Sequence, residues 1–395
     1  MELSRRSLIT GGTALAAYSG LECWDAEAAA PADALLERNQ FYAYPLPHWR
    51  AAKALVAAGS RNAKLLILSD STGAGQGSTN AGQGANCVSQ AWPTQLAALL
   101  QTATGLKCSW QSRMSTGGFG NNFIACDSRC AATGTMVYTG VGINAVGGPL
   151  IKGAGTATFS FTPTTSVDTF VIRYPVNAGL GTMQANIDGG ANTPIMQAGS
   201  ASMGSTALTA GSAGTHTLNL SLVNNCYIDS IVAYTAAQKE ISILNAGWCG
   251  STAANWNDAT AVWSPINDIP NLAPDLSIIC LTINDWNAGT SLAAYIASIQ
   301  TVISACLKTG DVLLCTGIAS NPAAGDAPGA VQQQYAAAVS YLARANGLRL
   351  PINFANVLGG SWAVANAAGK MYDDKHGLAA GYDRMAQALV QPLAA

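Results

Sequence analysis

Hydrophobic and polar positions follow two rhythms along this chain. Residues 63–69 (Ala-Lys-Leu-Leu-Ile-Leu-Ser) form a short apolar run that ends in a polar Asp-Ser-Thr-Gly turn, and residues 89–104 then carry the spacing of an amphipathic helix. The same strand-then-helix order resumes late in the chain. Apolar runs at 240–246, 275–283 and 311–317 are accompanied by helical patterns near 291–308, 328–346 and 377–391. Continuous apolar strands separated by helices predict an α/β architecture, a parallel sheet covered on both faces.

The second rhythm occupies residues 132–236. Segments 156–162, 168–174, 215–222 and 227–234 alternate with period two between Gly, Asn and Pro turns, which predicts an antiparallel β-sandwich. It interrupts the α/β pattern after its first strand and helix. The resulting scheme is an N-terminal signal (1–28), a connecting segment (29–62), a first α/β segment (63–131), an inserted all-β domain (132–236) and a second α/β segment (237–395).

Composition narrows the setting. Only 10% of the 395 residues are charged and the formal net charge is −2, so no basic footprint for nucleic acid or anionic lipid is expected. Ser4-Arg5-Arg6-Ser7-Leu8-Ile9, an apolar stretch to about Ala17 and the small-x-small Ala26-Glu27-Ala28 read as a twin-arginine export signal. The mature chain is then expected to begin near Ala29, in the periplasm or outside the cell. Glu22 before Cys23 does not fit a lipoprotein site, which requires a small residue there. No later segment reaches about 18 uninterrupted apolar residues, so stable membrane insertion is not expected. Export permits disulfides. Cys126 and Cys130, four apart, are a candidate staple, whereas Cys280 and Cys315 sit in apolar runs as buried thiols.

Chemistry can be read from strand ends, where open α/β sheets form their crevice. Ser71 follows the first strand, and a serine nucleophile needs a base. The chain has three histidines. His48 lies in a Pro-rich segment and His216 on a strand of the all-β insertion, and both read as structural or solvated. His376 falls in a polar loop before the last helix, and an Asp three residues ahead, Asp373, can reach the ring nitrogen not used for catalysis. Donors for an oxyanion are available from the Gly247-Trp248-Cys249-Gly250-Ser251 loop and from the Asn284 amide. No Cys/His spacing resembles a metal site, and no cofactor is expected.

Taken together, Ser69-Asp70-Ser71, the glycine loop 245–250, Thr282-Ile283-Asn284-Asp285 and Asp373-Asp374-Lys375-His376 resemble, in order, the four blocks of the SGNH (GDSL-like) hydrolases. The resemblance covers about 63–105 and 240–391. It implies a flavodoxin-like three-layer sheet, here with an inserted jelly-roll-like domain. It also implies Ser71 as nucleophile, Asp373 and His376 as its acid–base partners, and Ser71, Gly250 and Asn284 as the oxyanion hole. The choice between Asp373 and Asp374 rests on the family spacing. Ser69 and Thr282 stand where the family has glycine, which predicts a narrowed acyl site.

The resulting expectation is an exported serine esterase acting on an acylated carbohydrate, most of all on O-acetyl groups of a polysaccharide. Two alternatives stay open: a lipase or thioesterase of the same fold, and a carbohydrate-binding protein on an inactive scaffold. Tyr174, Tyr227 and Tyr234 of the insertion are either sugar-stacking aromatics or members of its core.

Overall fold

The computed structural model describes residues 46–395 apart from 81–83, 120–121, 139–143 and 224. The export signal and Cys23 lie outside the described residues. A parallel sheet forms the centre of the α/β domain. Its order is 352–353, 311–316, 276–280, 63–69, 241–247 and 108–109. Without the two-residue edge strand 108–109, the strands lie side by side in the chain order second, first, third, fourth, fifth, which is the flavodoxin-like arrangement. Leu65, Leu66, Ile67 and Leu68 are fully buried because helices cover both faces, so the pattern is a continuous apolar run instead of an alternation. The 276–280 strand stops at Cys280, short of the expected Ile283. The backbone turns at Thr282, and Ile283 opens a helix to Ala288.

Register positions the site. Ser69 pairs with Gly247 on one side and with Cys280 on the other, so all three close one row at the carboxyl edge of the sheet. The segments that leave these three positions must emerge at that edge, and they carry Ser71, the Trp248–Ser251 loop and Asn284.

The all-β domain packs two antiparallel sheets. One has strands 193–196, 182–187, 218–223, 151–161 and 227–228, with 130–138 also on 151–161; the other has 202–214, 167–176, 230–234 and 113–114. Leu218, Leu220 and Leu222 alternate inward with Phe159, Phe161, Phe170 and Ile231 to fill the space between them. Arg173 of this sandwich donates to Asp268, on the helix Pro265–Leu272 of the α/β domain, at 2.5 Å, with both groups buried.

Cys280 and Cys315 are buried free thiols, as expected, but the staple does not form. Cys126 and Cys130 are not bridged; Cys126 packs with Cys87 and Val88, and Cys130 joins the sandwich core. The two lie at opposite ends of a turn, where Cys130 N–H bonds to Asp127 O, and Cys130 begins a strand that carries its side chain away.

Candidate active site

Asp70 and Ser71 form a sharp strand-to-helix turn. Asp70 caps the helix Ser71–Ala74 by accepting from Thr72 N–H at 2.9 Å and Thr72 Oγ1 at 2.8 Å, and Gly75, at φ 92°, ends it after four residues. Burial pushes the Asp70 carboxyl upward against the pull of those bonds. The first-turn N–H of Ser71 has no acceptor among the described residues.

The side chain of Ser71 meets His376. Ser71 Oγ lies 2.8 Å from His376 Nε2, and His376 Nδ1 lies 2.7 Å from Asp373 Oδ2 and 2.9 Å from Oδ1. Both Ser71 and His376 are buried. The loop that brings them together is closed by Tyr372 N–H on His376 O at 2.8 Å, and Trp362 Nε1 holds Asp373 O at 2.9 Å. Within it Asp373 Oδ1 accepts the backbone N–H groups of Lys375 and His376 at 2.9 and 2.8 Å. Burial alone would push the Asp373 carboxyl up, but the His376 hydrogen bond and charge with these two N–H groups hold it below the usual range. Asp374 points elsewhere, to Asn321 Nδ2 at 2.9 Å. Geometry thus puts Asp373 and not Asp374 on the histidine.

The other two histidines are remote in role. His48 is exposed on the helix Pro47–Ala57, and His216 bonds to Asp188 and to Ser212 O in the sandwich.

The glycine loop is tied to the serine turn. A Cβ on Gly247 would sit 2.2 Å from Ala74 N, so only glycine lets this strand end lie against the backbone of the Ser71 helix. Asn245 bridges the same gap, donating to Gly73 O at 2.9 Å and accepting from Gly247 N–H at 3.0 Å. Gly250 is exposed at φ 75°, and its N–H has no acceptor among the described residues. Asn284 Nδ2 donates to Ser251 O at 2.9 Å, and Asp285 Oδ2 accepts Ala253 N–H at 2.8 Å, so the third block grips the loop that carries Gly250. Burial pushes the Asp285 carboxyl up to about 6 against the Ala253 bond. The tasks of Asn245 and Asp285 are not evident from the residue pattern. Their presence inside the recognised blocks was the available signal.

Ser69 and Thr282, the residues expected to narrow the acyl site, direct their side chains against neighbouring backbone. Both are buried, and each is accommodated by a glycine. A Cβ on Gly73 would sit 2.5 Å from Ser69 Cβ, and Thr282 Oγ1 accepts the N–H of Gly317, where a Cβ would meet it at 2.8 Å. Tyr174 is likewise buried, its ring over Gly204 and its hydroxyl 3.0 Å from Thr206 Oγ1, while Tyr227 and Tyr234 are partly exposed.

No protein-family model and no curated protein sequence matches the chain. Among solved structures it is similar to a peptidoglycan O-acetylesterase, at 17% identity over 88% of this chain and 95% of that one, with a TM-score of 0.64. An acetylxylan esterase from Geobacillus stearothermophilus aligns at 18% identity over 39% of this chain and 73% of that one, with a TM-score of 0.30. The first comparison spans nearly the whole of both chains, so the shared fold takes in the sandwich as well as the sheet. The fold shared with that protein is a parallel α/β sheet with additional all-β sheets.

Proposed function

We propose that the chain is a serine esterase that removes O-acetyl groups from a polysaccharide, with peptidoglycan as the leading substrate. The observation that carries this reading is the unbroken line from Ser71 Oγ to His376 Nε2 and from His376 Nδ1 to Asp373. An Nδ1 proton held by the carboxylate leaves Nε2 to accept the serine proton.

That line sets the order of steps. Ser71 Oγ attacks the ester carbonyl carbon as its proton passes to His376 Nε2, and Asp373 stabilises the imidazolium. The Ser71 and Gly250 N–H groups and the Asn284 amide hold the oxyanion. Collapse expels the sugar oxygen, which takes the proton from His376 and leaves an acetyl group on Ser71. Water then gives a proton to Nε2 and attacks the acyl carbon; the proton returns to Ser71 as acetate departs. The substrate class is supported by the fold shared with a peptidoglycan O-acetylesterase along the length of both chains. Acetate release from O-acetylated peptidoglycan and acetylated xylan tests it: release from neither, by protein that hydrolyses an aryl acetate, would remove the polysaccharide assignment.

The twin-arginine segment supports export, and amino-terminal sequencing of the mature protein should find a start near Ala29. A mature chain that retains Arg5 and Arg6 would contradict export by that route.

A further inference from the structure

The glycine loop is gripped from one side by the third block and from the other by the sandwich. Cys249, the residue before Gly250, donates its N–H to Gly117 O at 2.9 Å, and Gly117 N–H in turn bonds to Gly147 O at 2.9 Å. Gly117 belongs to the turn just after the sandwich strand Arg113–Met114. That turn is tied down again where Ser115 N–H meets Asp229 O at 2.7 Å and Ser115 Oγ meets Gly148 O at 2.9 Å. A relay of backbone bonds therefore runs from the body of the sandwich into the peptide next to Gly250.

Close packing accompanies the relay. Gly118 has φ 70°, and a Cβ there would stand 2.3 Å from Trp248 Cδ1 and 2.8 Å from Cys249 N. Gly148, at φ 107°, leaves a Cβ only 3.0 Å from Gly118 N and 3.2 Å from Trp248 Cδ1. Two loops of the sandwich thus lie against Trp248 and Cys249, with no room for a methyl group at Gly118 and a tight fit for one at Gly148. Trp248 is fixed from behind by an edge contact with Trp256 at 5.6 Å.

We propose that the Ser115–Gly118 turn of the sandwich is a positioning element of the active site, which holds the Trp248–Gly250 loop so that the Gly250 N–H faces the reacting carbonyl. The inference rests on the esterase reading above. It assigns the all-β domain a task in acyl chemistry in addition to any contact with polymer. Removing residues 132–236 deletes Gly147, Gly148 and Asp229, the anchors of the turn, so turnover of a small ester falls along with turnover of polymer.

The experiment compares Gly118→Ala with Gly189→Ala on an aryl acetate, with fluorophosphonate labelling of Ser71 read in parallel. Gly189 is also at positive φ, 76°, but with nothing within 4 Å of its Cβ position, so it carries the backbone penalty without the contact. Displacing one oxyanion donor should lower kcat of Gly118→Ala by about 10–100-fold with KM within about twofold, while Gly189→Ala stays within about twofold of the parent. Labelling of Ser71 should slow in the same proportion. Equal kcat in the two variants, or a loss that only tracks the unfolded fraction by circular dichroism, overturns the proposal. Should Gly118→Ala not fold, Gly148→Ala, with its milder contact, answers the same question by the same kcat criterion. A parent protein that is not labelled at Ser71 refutes the esterase reading itself, whereas normal labelling of the parent with unaltered kinetics in the variants refutes only the positioning role.

Discussion

Replacing Asp373 by Asn changes one atom, and the structure fixes what that atom does. Asp373 Oδ1 already accepts two backbone N–H groups, from Lys375 and His376, so the amide oxygen of the variant must take that place. Its NH2 then occupies the position of Oδ2, 2.7 Å from His376 Nδ1, and donates where the carboxylate accepted. Nδ1 becomes the bare nitrogen and Nε2 carries the proton, so the ring donates toward Ser71 Oγ and cannot take its proton. An inverted tautomer costs about four orders of magnitude in kcat, or about 5 kcal/mol of transition-state stabilisation. The loop keeps both backbone bonds, so thermal unfolding should be nearly unchanged. Aryl acetate turnover measures the loss, and imidazole nitrogen shifts in an NMR spectrum report the tautomer directly. A folded Asp373→Asn protein with kcat within about tenfold of the parent would refute the assigned roles of the pair.

Other outcomes rest on single contacts. His48→Ala and His216→Ala should each leave kcat within about twofold, since neither ring reaches Ser71; a hundredfold loss in either, on the same assay, would break the assignment of His376. Asp268→Ala strips the buried Arg173 of its 2.5 Å partner and should lower the urea-unfolding free energy by about 3–5 kcal/mol. A loss below about 1 kcal/mol would mean the guanidinium finds another partner. Burial, with the charge of Asp268, raises the Asp229 carboxyl to about 7 against the pull of Arg173. The folded chain therefore keeps a proton that the unfolded chain has lost, and stability falls as pH rises from about 4 to about 7. Asp229→Asn removes that fall, so its urea midpoint should gain on the parent between pH 5 and pH 8; a constant difference across that range would contradict it.

Legibility in the sequence tracks interaction range. The strand 63–69 and its serine were readable because a buried parallel strand must be apolar throughout and must end in a turn, and the alternation of Leu218, Leu220 and Leu222 directly records one buried face. The order of the four blocks carried the site. The features that stayed hidden depend on contacts between distant segments. Asp374 is turned away by Asn321, 53 positions earlier, and nothing in the local spacing reports that bond. Ser69 and Thr282 look like obstructions in the sequence because the glycines that receive them, Gly73 and Gly317, belong to the next helix and to another strand end. The strand Arg113–Met114 is too short to show any period, yet it leads into the turn that braces the glycine loop. The helix Pro47–Ala57 escaped for the same reason: its Trp49 and Lys53 bury against Asp311 and the carbonyls of Leu393 and Ala394, partners about 260 to 340 residues away.

The nucleophile is the point on which every step depends. A fluorophosphonate probe reacts only with a serine whose proton a neighbouring base can remove and whose oxyanion is stabilised, so it reads the assembled site in one experiment. Peptide mapping of the labelled native protein should find one adduct, on Ser71, which is absent from Ser71→Ala and slowed by several orders of magnitude in His376→Ala. A folded protein that takes up no probe, or takes it up on another serine, would contradict the account.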